Sequence, residues 1–289
     1  MPFLTWIAGG LLLMALAVGG SAWWVAGSQI APRPALLPDP LSDRWVESVV
    51  MPTPQGPAVH GWWMPGEPGQ PSVLLLHGLG GHRGAMVERA RMLLKHGYSV
   101  LLIDLPGHGE SPGEAVTFGG RESLGVAAAR DWLQRRDPLG AVGVIGVSLG
   151  GAAVLLGDPP GGFDAVVLEA VYSRIDRAIE NRLAMRLGAM APWITPGFVG
   201  QLQPRLGVAP AALRPVERIR QLGAPVLIVA GGRDQHTPLD ESQALYAQAQ
   251  PPKALWVLPD AAHEDFYAHH PQEYEARVLH FFETFLHKK

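Results

Sequence analysis

Short apolar runs recur along the chain, each closed by a cluster of Gly, Pro, Asp or His. Ser72–Leu76, Ser99–Asp104, Ala141–Ile145, Ala165–Leu168, Pro225–Ala230 and Ala254–Leu258 are apolar at almost every position. Runs of this kind predict parallel strands covered on both faces. The segments between them predict helices over Gly84–His96, Arg121–Arg136, Leu149–Leu156, Leu239–Gln250 and Pro271–His287. Val46–Thr53 and Ala58–Met64 read as an opening antiparallel hairpin. Strands alternating with helices define an α/β domain, and residues 45–289 suit one such unit without internal repeats.

The chemistry-bearing residues sit just past the carboxyl ends of these strands, where open α/β sheets bind ligands. Gly146-Val147-Ser148-Leu149-Gly150 lies between a strand and a helix, with a serine at the apex. A turn this sharp needs small neighbours, and Gly146 and Gly150 meet that need. The helix that follows points free N–H groups and its positive dipole end at the same place. His77-Gly78-Leu79-Gly80-Gly81-His82 closes a second strand, and such a loop presents backbone N–H groups to a carbonyl oxygen. Other strands end in Asp104-Leu105-Pro106-Gly107-His108-Gly109, in Gly231-Gly232-Arg233-Asp234, and in Pro259-Asp260-Ala261-Ala262-His263.

From Val46 to the C-terminus these motifs, in this order, resemble the α/β-hydrolase superfamily, in its bacterial lipase and esterase branch. The resemblance implies an α/β-hydrolase fold: a mostly parallel central sheet, helices on both faces and a small helical cap. It implies a triad of Ser148, Asp234 and His263, with an oxyanion hole at the N–H groups of Leu79 and Leu149. Serine needs a base to take its proton, and histidine titrates near working pH. An acid then holds the imidazole in the right tautomer. Glu169, Asp240 and Asp260 compete with Asp234 for that role. His77 and His108 are read as structural, and Asp104 as a brace for its loop. Pro106 departs from the family pattern, which often carries arginine there.

No metal or other cofactor is expected. Glu264 after His263 suggests H-E-x-x-H, but Tyr267 stands at the closing position. His269, His270, His280 and His287 belong to the C-terminal region and read as surface residues. The net charge of −3 offers no basic face for nucleic acid, and the lack of cysteine excludes disulfides.

Phe3 to Ala26 is uncharged and mostly apolar, long enough to span a bilayer, with Trp6 and Trp23-Trp24 near its ends. Residues 1–27 therefore read as a retained transmembrane anchor, a cleaved signal being the alternative. Arg33 and Arg44 lean towards a cytoplasmic catalytic domain without deciding the side. Residues 28–44, with Pro32, Pro34, Pro38 and Pro40, read as a semi-extended tether. Residues 172–215 interrupt the alternation and resemble a cap, with Arg174–Leu183 an amphipathic helix and Met190, Trp193 and Phe198 as candidates to line an acyl pocket. The combined expectation is a membrane-bound serine hydrolase for esters with apolar, lipid-derived acyl groups. A thioesterase, amidase, peptidase or acyltransferase uses the same triad, and a non-catalytic binding module is the alternative from another class.

Overall fold

The computed structural model describes residues 19–37, Ala22 apart, and residues 46–286. A helix, α1, covers residues 23–30, and β1 (Arg33–Pro34) follows it. Next come β2 (Glu47–Thr53), β3 (Gly56–Met64), β4 (Ser72–Leu76), α2 (Val87–Lys95), β5 (Ser99–Ile103) and the two-residue β6 (His108–Gly109). The chain continues through α3 (Glu122–Arg136), β7 (Val142–Val147), α4 (Leu149–Leu155) and β8 (Ala165–Glu169). Four helices then intervene: α5 (Ile175–Leu187), α6 (Ala191–Val199), α7 (Leu202–Leu206) and α8 (Pro215–Arg218). The last elements are β9 (Val226–Gly231), α9 (Leu239–Gln248), β10 (Lys253–Leu258), α10 (Phe266–His269) and α11 (Pro271–Leu286).

Among the described residues, eight strands form one sheet in the order β10-β9-β8-β7-β4-β5-β3-β2. The β2–β3 and β3–β5 pairs are antiparallel and all others parallel. Period-two alternation divides the apolar strands between two cores. Leu74 and Leu76, Val144, and Val166 and Leu168 face one core with Val126, Ala129, Ala152 and Leu245 of α3, α4 and α9. Val73 and Leu75, Ile145, and Ala165 and Val167 face the other with Leu93, Val278 and Phe282 of α2 and α11. Both faces are covered, which is why these runs carry no polar alternation. On the edge strand β2 the register shifts between Met51 and Thr53, around Pro52, which has no N–H to donate.

The chain before the sheet differs from a semi-extended tether. Residues 28–30 complete α1, because the prolines begin only at Pro32 and a helix can run up to the residue before such a break. Arg33–Pro34 then pairs in parallel with His108–Gly109. The Arg33 N–H donates to the Gly107 carbonyl at 2.7 Å, and the Val116 N–H to the Ile30 carbonyl at 2.8 Å. Pro38, Pro40 and Arg44 lie outside the described residues, as does His287. So does the proposed span from Phe3 through Val18, with Trp6. Among the described residues no helix is long and apolar enough to cross a membrane.

Candidate active site

Ser148 stands between β7 and α4 with φ +48° and ψ −106°, a region that non-glycine residues rarely adopt. The two glycines of the motif make this turn sterically feasible. A Cβ on Gly146 would lie 2.6 Å from the Gly151 backbone, and one on Gly150 would lie 2.7 Å from the Leu76 carbonyl oxygen. The Ser148 N–H donates to the Glu169 carbonyl at 2.7 Å, which ties the turn to β8. The hydroxyl is left for other work: among the described residues it makes no hydrogen bond, to His263 or to any other group.

Asp234 and His263 are brought together. His263 Nδ1 and Asp234 Oδ2 are 2.7 Å apart, with the carboxylate buried and the imidazole partly exposed. Asp234 also accepts from the N–H groups of His236 and Thr237, at 2.8 and 2.9 Å, and from the Thr237 hydroxyl at 2.6 Å. Burial raises the Asp234 pKa, but the hydrogen bond and charge of His263 and the Thr237 donors outweigh it, so the carboxyl sits below its ordinary value. The loops carrying the pair meet backbone to backbone. A Cβ on Gly231 or Gly232 would lie 2.6 or 2.5 Å from the carbonyl oxygens of Ala261 or Pro259. The Gly232 and Arg233 N–H groups donate across that contact, to Leu258 and Ala261. The role of Thr237 as a donor to Asp234 escaped the sequence reading, and Gly231 and Gly232 were read there only as part of the motif, although a Gly-Gly pair directly before Arg233-Asp234 is a visible signal of close approach.

The competing acids are engaged elsewhere. Glu169 is buried in an ion pair with Arg89, whose Nη2 lies 2.8 Å away, and it accepts the Tyr274 hydroxyl. Asp240 pairs with Arg177 at the surface, and Asp260 is exposed.

The loop after β4 borders the serine: a Cβ on Gly78 would lie 3.6 Å from the Ser148 Cβ. Neither the Leu79 nor the Leu149 N–H donates to a protein acceptor among the described residues. His77 holds this loop. Its Nε2 accepts the Leu105 N–H at 3.1 Å, so the proton resides on Nδ1, which donates to the Gly78 carbonyl at 2.8 Å. Complete burial pushes the His77 pKa down to about 3, so the ring is neutral. His108 packs beside it at 5.1 Å between ring centroids, also with a lowered pKa from burial. Asp104 braces the neighbouring loop: it accepts the Arg83 and Glu110 N–H groups and pairs with the Arg83 guanidinium. Pro106 fits there because residue 125 is glycine; a Cβ on Gly125 would lie 2.8 Å from the Pro106 ring.

A small cavity beside Ser148 and Leu149 is lined by Leu79, Phe118, Ile179 and Arg182. Those last four residues also line a larger cavity of about 350 Å³. Of the cap candidates, only Phe198 faces the larger cavity, with Leu202 and Met185 beside it. Met190 and Trp193 are exposed, at 62% and 87%. On α6 it is Ala191 and Thr195, one turn apart, that are buried, which leaves Trp193 between them on the opposite side. Arg182 was not anticipated. Burial lowers its pKa, and among the described residues its one hydrogen bond goes to the Ala178 carbonyl of its own helix.

The sheet order, the glycine-flanked serine and the paired Asp and His are the features of one class of protein. Residues 73–277 match the model of the alpha/beta hydrolase family, and the chain belongs to that family. An uncharacterized protein of Mycobacterium tuberculosis is 32% identical over 241 residues, covering 80% of this chain and 75% of the relative. Human protein ABHD12B is 28% identical over 189 residues, 63% of this chain and 51% of that protein. A crystal structure of a Pyrococcus furiosus esterase superposes with a TM-score of 0.72 at 25% identity, over 89% of this chain and 99% of the other.

Proposed function

We propose that the chain is a serine hydrolase for carboxylic esters with apolar acyl groups, working at a membrane surface. The observation that carries the reading is the 2.7 Å contact of His263 with Asp234, taken together with a serine held at positive φ with its hydroxyl unengaged. In this scheme Ser148 Oγ attacks the ester carbonyl and His263 Nε2 takes its proton. Asp234 keeps the Nδ1–H tautomer and stabilises the imidazolium. The N–H groups of Leu79 and Leu149 receive the oxyanion. His263 returns the proton to the leaving alcohol, and water then clears the acyl-enzyme by the same steps. In this scheme the Ser148–His263 hydrogen bond forms only when substrate binds, as catalytic hydrogen bonds often do.

An esterase activity agrees with the Pyrococcus furiosus relative, itself an esterase. The apolar acyl preference rests on the lining of the larger cavity, and the membrane location on the uncharged stretch Phe3–Ala26. The test is labelling of the full-length protein in detergent by a fluorophosphonate, with Ser148→Ala alongside. Wild-type labelling that disappears in the variant, together with turnover of p-nitrophenyl esters, is the expected result. Ester turnover that survives Ser148→Ala sinks the assignment.

A further inference from the structure

The larger cavity has a wall that belongs to neither the sheet nor the cap. Val25, Ala26, Gln29 and Ile30 of α1 line it, together with Leu202 and Phe198 of the cap. The helix is seated there at both ends. The Arg205 guanidinium lies 3.6 Å over the Trp23 ring, and its Nη2 donates to the Trp23 carbonyl at 2.6 Å. Gly27 admits the same arginine: a Cβ there would lie 3.2 Å from its Nη1. At the other end Ile30 packs on the core and accepts the Val116 N–H. Residues 23, 26, 27 and 30 thus share the inward face at helical spacing. Leu79, Phe118, Ile179 and Arg182 border both this space and the small cavity at Ser148, so the two cavities adjoin.

The geometry points to α1 as the chain-length gauge of the acyl site: Val25, Ala26, Gln29 and Ile30 form the wall against which an unbranched acyl chain packs. This rests on the esterase reading above. Long chains reach the wall and short ones do not, so the N-terminal segment sets the preference for long over short esters.

The experiment compares kcat/KM for p-nitrophenyl dodecanoate and butyrate in full-length wild type, Ala26→Trp and Arg205→Ala. Ala26→Trp fills the space beside the wall, and Arg205→Ala releases the helix. Each should lower the dodecanoate-to-butyrate ratio about tenfold, the effect of losing contact with a couple of methylenes. An unchanged ratio in both, with turnover still dependent on Ser148, overturns the wall and leaves the esterase reading standing. If no ester is turned over through Ser148, the esterase reading fails. The wall is then judged by binding of cis-parinaric acid, followed by its fluorescence. Weaker binding by Ala26→Trp than by wild type supports it; equal binding, or none by wild type, overturns it.

Discussion

Asp234 and Glu169 are both buried carboxylates at the carboxyl edge of the sheet, and their partners divide the labour between them. Asp234 receives neutral donors and one imidazole, so it can stabilise a charge that comes and goes on His263. Glu169 is committed to the fixed charge of Arg89, eighty positions away in sequence, and to Tyr274. Opposite outcomes follow from removing each charge. Asp234→Asn should cost about four orders of magnitude in kcat with the fold intact, because the imidazole adopts the wrong tautomer. Glu169→Gln should leave kcat close to wild type but cost about 3 kcal/mol of stability, since it breaks a buried pair. Steady-state kinetics and urea unfolding of both variants check this; a larger kcat loss in Glu169→Gln would reverse the assignment. The motif around Asp234 was legible in the sequence. What engages Glu169 was not, because its partners come from distant segments that only the folded chain brings together.

At the scale of elements, His77 stitches the end of β4 to the loop after β5, and it does so only as a neutral ring. Its pKa falls from 6.5 in the unfolded chain to about 3 in the fold. The unfolded state therefore binds the proton first on acidification. The stability from this group is fully present above the unfolded value and is lost as pH falls from there towards the folded one. The loss reaches about 2 kcal/mol by about pH 5. In urea titrations, His77→Gln, which can still donate and accept, should lose correspondingly less stability than wild type between about pH 7 and about pH 5. Identical slopes would deny His77 this part. The strands themselves were readable because burial on both faces leaves unbroken apolar runs. The helical excursion was readable only in outline. Apolar residues there face either way: Phe198 turns in and Trp193 turns out, and no periodicity in a proline-broken stretch distinguishes them. The helix at residues 23–30 was read as part of an anchor and a tether, since its docking partners, Arg205 and Val116, lie far along the chain.

For the whole molecule, the uncharged N-terminal stretch runs directly into α1, which is seated beside the cavity. Trp24 is 75% exposed on that helix, and Met190 and Trp193 are exposed on the excursion, an unusual display of large apolar side chains. The expected behaviour is retention in the membrane fraction after an alkaline carbonate wash, and release when residues 1–18 are deleted. Full release of the intact chain by the wash would dismiss the anchor. The seating of α1 also fixes an order of events. Trp23 of α1 cannot complete its contacts until Arg205 has been made, 182 positions later. Contacts of such separation form late, and a helix held by a few of them opens early. The wall of the cavity is therefore a late piece to arrive in folding and an early one to leave. Hydrogen exchange should find the amides of residues 23–30 exposed long before those of β4, β7 and β8; equal protection would contradict that order.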